Sequence, residues 1–343
     1  MTTLQQSIDA FVGTLPKRQK EIIIHRFGLS SQKPKTLAML GSTYGITRER
    51  VRQIEAGALK TLREIAKKND ELLNMHQKCV AHLKTLGGVR RADLFYNDLA
   101  FVLKDENVNT SYVDVLFGIF GLLTLHPENK DTYAFWYEKS DDAKNAKKFV
   151  EKVASVLRGK KELVINRGKF DELFYQAVKN HNIQDFVGLN FLMISKKFSA
   201  NPYGDFGLVE WREISPKTVR DKAYLVLRKH QKPIHFRDIA QEINKVGFDK
   251  KKAHPQTVHN EVIKDRRFVL VGRGLYSLKE FGIEEGTTQE LLKKLLKKHG
   301  PLDAETLVGL VSQQRILKKN TILLNLQNKK HFKKLSGGKY HLA

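Results

Sequence analysis

Six residues in one short stretch carry the densest recognition chemistry of the chain: Thr47, Arg48, Glu49, Arg50, Arg52 and Gln53. Arg pairs bidentately with the major-groove edge of guanine, Gln with that of adenine, and Glu accepts from cytosine N4. Drawn on a wheel at about 100° per residue, Arg48, Glu49, Arg52 and Gln53 lie on one side near a helix start. Val51, Ile54, Ala58, Leu62 and Ile65 form an apolar stripe on the other. A helix that enters the major groove needs that layout, an apolar back with base-reading side chains in its first turns. The bland alternative is a solvated charged face, with Glu49 drawn to a helix N-terminus by the dipole. The preceding residues favour the first reading. Thr36 is the N-cap of a short helix, Gly45 supplies the positive φ of a turn, Gly41 allows two helices to approach, and Thr47 caps the second helix. Thr36 to Ala66 therefore predicts a helix-turn-helix.

The elements that must position it precede it. Residues 1–14 form a short amphipathic helix on Leu4, Ile8, Phe11 and Val12; Pro16 starts a second, Lys17 to Phe27; Gly28 to Pro34 is a loop. Leu15-Pro-Lys-Arg-Gln, His25-Arg-Phe-Gly-Leu29 and Ile46-Thr-Arg-Glu-Arg-Val-Arg-Gln-Ile-Glu-Ala56 resemble region 4 of the sigma-70 family of bacterial transcription initiation factors, over about residues 11–68. The resemblance implies recognition of a promoter −35 element and docking on the RNA polymerase core at the flap of its β subunit. Arg48, Glu49 and Gln53 would read bases, with Arg50 and Arg52 near phosphates or bases. Two positions depart from the family: Leu37-Ala-Met-Leu40 stands where acidic residues are usual, and Gly57 replaces a basic residue, at about 1 kcal/mol against alanine inside a helix. The first ten residues hold no counterpart of the family's promoter-melting and core-clamping parts, so this chain alone is not expected to open a promoter.

Charge divides the chain. Residues 1–70 carry +7, residues 71–215 only +1, and residues 216–343 +16. Basic ends favour polyanions through counterion release, so double-stranded DNA is the expected partner, and the neutral middle is assigned to spacing or protein contact. The lone Cys79 excludes an intrachain disulfide and fits a reducing compartment. No apolar run approaches the roughly 20 residues of a membrane span, and no signal pattern opens the chain. The expected location is the cytoplasm, associated with the nucleoid.

Enzyme chemistry has no foothold. The histidine pairs His230/His235 and His254/His259 lack metal spacing, and no HExxH occurs. Gly272-Arg-Gly274 sits between two strands with no helix after it, unlike a phosphate loop, and Asp205-Phe-Gly207 stands without the other kinase motifs. No cofactor, metal or small-molecule substrate is expected, and the chain is read as a non-enzyme.

Beyond Asn69 one kind of unit repeats every 60–75 residues or so. Thr257 to Leu278 aligns without gaps on Thr321 to Leu342, with identities at the Thr, Phe, Gly, Tyr and Leu. Each copy predicts a first helix (Val219–His230; Gln289–His299), a Pro-bearing turn, a second helix (Phe236–Val246; Ala304–Gln313), a third beginning near Thr257 or Thr321, and a hairpin (Phe268–Val271 and Leu275–Leu278, with Gly272 and Gly274 in the turn). Three helices and a terminal hairpin make a winged helix. Val219-Arg-Asp-Lys-Ala-Tyr-Leu-Val-Leu, Lys232-Pro-Ile-His-Phe-Arg-Asp-Ile-Ala, His254-Pro-Gln-Thr-Val and Phe268 to Leu278 resemble the HARE-HTH winged-helix family, which includes the N-terminal domain of the polymerase δ subunit. There the groove or phosphate face would be Thr257, His259, Asn260 and Lys264, with Arg266, Arg267 and Arg273 at the wing and lysines 250–252 in a basic loop. Such contacts position a protein without reading sequence, and a winged helix used for protein contact is equally compatible.

The middle admits two readings, winged helices or a plain helical bundle. Residues 70–140 offer helices at Leu72–Leu86, Leu94–Leu103 and Ser111–Leu122, a Gly87-Gly88 turn and a final strand at Thr132–Tyr137. Residues 141–214 offer helices at Ala143–Leu157, Lys169–Lys179 and Phe186–Phe198, closed by Leu208–Arg212. The expected fold class is mostly α, a helix-turn-helix followed by an array of winged-helix-like modules with short β-hairpins. The expected segments are 1–69, 70–140, 141–214, 215–282 and 283–343. The expected function is a bacterial-type transcription regulator that reads a −35-like element. The alternatives are a δ-like accessory subunit of RNA polymerase acting by protein contact, and the DNA-binding partner of a nuclease or restriction system.

Overall fold

The computed structural model describes residues 3–30, 33–282, 287–314 and 317–343. Ser31 and Gln32 of the predicted loop, and Ile283 at the start of the last predicted segment, lie outside them. The chain divides into two compact units, Met1–Phe198 and Ser199–Ala343.

The first unit opens with α1 (Leu4–Gly13), α2 (Lys17–Phe27), α3 (Leu37–Tyr44) and α4 (Arg48–Ala66). Thr3 caps α1 in a reciprocal box with Gln6. Then follow α5 (Asp70–Thr85), β1 (Val89–Arg91), α6 (Ala92–Leu103), α7 (Thr110–Phe120), β2 (Thr124–His126) and β3 (Phe135–Tyr137). These strands pair antiparallel in the order β1-β3-β2, so Trp136 lies opposite both Arg90 and Leu125. Gly87 and Gly88, at φ +81° and +76°, make the turn before β1. Three helices with a three-stranded sheet describe a winged helix here. The core ignores the predicted boundary at 69/70: Leu4, Ile8 and Val12 of α1, Ala58 and Leu62 of α4, and Tyr112, Leu116 and Phe117 of α7 are buried in one cluster with Phe95 and Trp136.

The unit ends with α8 (Ser140–Arg158), α9 (Lys161–Arg167), α10 (Phe170–Asn180) and α11 (Asp185–Met193). The short α9 has no counterpart among the predicted helices, and α11 stops at Met193 instead of Phe198. Asn190 explains why α11 is held: its side-chain amide donates to the carbonyls of Leu86 and Val89, and its oxygen accepts from Arg90. Arg90 is itself locked bidentately on Asp98. A Cβ on Gly87 would come within 2.6 Å of Val187, so glycine also lets α11 approach the turn.

After β4 (Phe198–Ala200) and β5 (Phe206–Leu208), the strand expected at Leu208–Arg212 ends at Leu208. Trp211 N donates to Leu208 O and the chain turns. Next come α12 (Val219–His230), β6 (Ile234–His235), α13 (Phe236–Val246), α14 (Pro255–Lys264), β7 (Phe268–Gly272) and β8 (Leu275–Leu278), with sheet order β6-β8-β7. Gly272 ends β7, so the hairpin turn is Arg273-Gly274. The last module is α15 (Thr288–His299), α16 (Ala304–Gln314), α17 (Lys319–Leu326), β9 (Phe332–Lys334) and β10 (Tyr340–Leu342). The gapless alignment of the two copies holds in three dimensions. Gly274 and Gly338 both take positive φ, +73° and +78°. Val258 and Ile322, Val262 and Leu326, and Phe268 and Phe332 are buried at matched positions. Tyr276 pairs with Ile234 as Tyr340 bridges to Leu302.

Candidate nucleic-acid interface

The helix-turn-helix is built by local chemistry. Thr36 Oγ1 accepts from the Met39 amide at 3.2 Å and Thr47 Oγ1 from the Arg50 amide at 3.1 Å, so each helix starts on a side-chain cap. Gly45, at φ +66°, ends α3 and donates to Gly41 O. A Cβ on Gly41 would lie 2.7 Å from Ile46 O, so the crossing of α3 and the turn requires glycine there. Ile22, Leu40 and Val51, fully buried, form the motif's own small core with Leu37, Tyr44, Ile46 and Ile54 around them. Of the predicted apolar stripe, Val51, Ala58 and Leu62 are buried, but Ile65 is 37% exposed and Ala66 is the buried residue of the last turn. The larger α1–α7 cluster draws α4 inward one position later than an isolated wheel predicts.

All six predicted residues of this helix start are brought together on one exposed surface. They are ordered in pairs. Arg52 donates to both Glu49 oxygens at 2.7 and 2.8 Å, and Arg50 donates to Gln53 Oε1 at 3.2 Å. Arg52 beside it pulls the Glu49 carboxyl below its ordinary range, which keeps it an acceptor. Arg48 makes no hydrogen bond or ion pair among the described residues. One neighbour was not singled out in the sequence: Arg18 lies 3.9 Å over the Tyr44 ring and donates to Tyr44 O at 3.3 Å, which sets a cation at the end of α3. Its partner is 26 residues away, a distance no local pattern reports.

The second predicted surface is only partly assembled. Thr257, Asn260 and Lys264 are exposed along α14, with Gln256 donating to Asn260; Arg266 and Arg273 are exposed at the helix end and hairpin turn. Two residues turn inward instead. His259 is half-buried between the Phe236 and Tyr276 rings, at 4.6 and 5.8 Å, with its Nδ1 3.1 Å from the Tyr276 hydroxyl. Arg267 donates to Asp265 at 2.7 Å and to the buried Asp221 at 3.4 Å, and its guanidinium lies 4.8 Å from the centre of the Tyr224 ring. A cation spent on two carboxylates and a ring is a core arginine rather than a free phosphate contact. Arg267 in turn holds the Asp265 carboxyl below its ordinary range.

Among the described residues no group of His, Cys, Asp and Glu forms a metal site. His76 shows the commoner use of a buried histidine: 1% exposed, its ring stacks on Phe120 at 4.2 Å, and burial pushes its pKa down to about 4. No described helix is long and apolar enough to cross a membrane.

With this geometry in hand, the comparisons are specific. Residues 12–64 match the family model described as Sigma-70, region 4. Residues 217–281 match the HARE-HTH model, described as an ASXL and restriction endonuclease HTH domain. The chain is similar to the RNA polymerase sigma factor RpoS of Coxiella burnetii (strain RSA 493 / Nine Mile phase I), 45% identical over 62 residues, 18% of each protein. It is also similar to the RNA polymerase sigma factor SigA of a Bacillus species, 42% identical over 60 residues, 18% of this chain and 16% of that one. The chain thus spans under a fifth of the length of these relatives.

Proposed function

We propose that this chain is a DNA-binding transcription regulator of bacterial type, whose α4 reads a short −35-like duplex element through Arg48, Glu49 and Gln53. The observation that carries it is the exposed row of paired readers on the first turns of a side-chain-capped helix, backed by its own apolar core. Arg50 and Arg52 hold Gln53 and Glu49 in place and face the backbone. The basic modules after residue 215 grip adjacent duplex or polymerase and raise affinity by effective concentration. Cytoplasmic location and contact with RNA polymerase core belong to the same proposal.

Fluorescence anisotropy of the full chain on a duplex bearing a −35-like hexamer and on a scramble of equal composition tests it. A preference of at least about tenfold, about 1.4 kcal/mol, is expected, and Arg48→Ala with Glu49→Ala and Gln53→Ala should abolish it. Equal binding to both duplexes would sink the reading. It would favour the second one, an accessory polymerase subunit acting by protein contact. That reading draws on the neutral middle of the chain, where Phe101 is 88% exposed and Phe186, Leu189 and Met193 line one exposed face of α11.

A further inference from the structure

The last module resembles its predecessor in backbone but not in the placement of charge. At the fixed offset of the alignment, Asn260 becomes Leu324, His259 becomes Leu323 and Lys264 becomes Asn328. The polar face of the third helix is lost: Leu324, at the position of Asn260, is 66% exposed. A leucine there makes no hydrogen bond to a base edge or a phosphate. The cations reappear on the wing side, where Asp265, Val269 and Leu270 become Lys329, Lys333 and Lys334.

These lysines are also unneutralised. Residues 321–343 hold five lysines and no Asp or Glu. Among the described residues none of the five makes an ion pair, whereas in the preceding module Arg267 is spent on Asp265 and Asp221. Lys329, Lys333 and Lys334 line a concavity of about 670 Å³ between the end of α17 and the hairpin, together with Phe332 and Tyr340. Lys334 Nζ lies 6.0 Å from the centre of the Tyr340 ring. Compact ammonium charges on a short ribbon beside a concave, partly apolar floor suit the sugar-phosphate edge of a duplex. They recognise charge without reading bases.

We propose that the C-terminal module binds the duplex DNA backbone through Lys329, Lys333 and Lys334, with its third helix α17 turned away from the groove. The inference rests on duplex binding as proposed above and names the site within it. It departs from the usual docking, in which the helix after the turn enters the groove.

The test is a salt series of anisotropy measurements with the full chain on a scrambled duplex. Neutralising three phosphate contacts, with Lys329→Gln, Lys333→Gln and Lys334→Gln together, should lower the log–log salt slope by roughly 2–3, at about 0.9 per contact. Leu324→Asp, an exposed substitution that places an anion on α17, should change affinity less than about twofold. An unchanged slope in the triple variant, with a loss above about tenfold for Leu324→Asp, overturns the inference and leaves duplex binding intact. An unchanged slope with both variants binding as the parent also overturns it, and assigns the lysines to an acidic protein surface. No salt-dependent duplex binding by the parent overturns both proposals. Unaltered circular dichroism of each variant confirms that the fold is retained.

Discussion

At the scale of single residues, two arginines adjacent in sequence part company. Arg266 is exposed after α14, while Arg267 closes a network on Asp221, a carboxylate 1% exposed that also accepts from the Thr218 hydroxyl at 2.7 Å. Removing one partner of a buried charge is costly because the other is left undercompensated. Thr218 remains, and Arg212 lies 3.7 Å from the same carboxylate. Arg267→Ala should therefore destabilise the second unit by about 2 kcal/mol, below the roughly 3–5 kcal/mol of a fully isolated pair. Arg266→Ala should stay within about 0.5 kcal/mol. Trp211 is the one tryptophan of that unit, so urea unfolding followed by its fluorescence in a Trp136→Phe background reads both values. Equal stability of the two variants would refute the structural role of Arg267. The pair also shows where sequence reasoning stops. Both arginines read as wing cations, and only the long-range position of Asp221, 46 residues earlier, separates them.

At the scale of elements, the helix-turn-helix and the two C-terminal winged helices were legible because their signals are local. Caps at Thr36, Thr47 and Thr218, turn glycines at 45 and 274, and the proline at 255 fix helix ends within a few residues of themselves. What was not legible depends on distant contacts. No pattern near α1 shows that it packs on α7, and nothing around Asn190 announces that its amide ties α11 to the β1 turn. The internal repeat supports an element-scale prediction. Gly274 and Gly338 share a left-handed backbone, but a Cβ on Gly274 would meet His235 Nε2 at 2.5 Å, whereas Gly338 has nothing within 4 Å. Gly338→Ala should cost only the backbone term, about 1 kcal/mol, and Gly274→Ala clearly more, about 2 kcal/mol, as His235 gives way. Thermal melts of the two variants decide it; a larger cost at Gly338 would mean that the two hairpins are not packed alike.

At the scale of the molecule, reading chemistry and bulk charge sit in different units. The unit Met1–Phe198 carries α4 and a net charge of +10, while Ser199–Ala343 carries +14 in a shorter length. If α4 supplies the sequence preference and the later modules supply backbone grip, then the two contributions separate on cutting between the units. A fragment ending at Phe198 keeps the α1–α4–α7 core that supports the recognition helix, because every residue of that cluster lies before residue 137. It should retain the hexamer-to-scramble ratio of the full chain. Its affinity for either duplex should fall by at least about tenfold at constant salt, since a tethered second site acts through effective concentration and its loss removes that gain. Its log–log salt slope should be shallower, because fewer counterions are released per binding event. A fragment with undiminished affinity would show that the C-terminal charge is not used on the same duplex. One that lost the ratio but kept a slope would place the sequence preference outside α4.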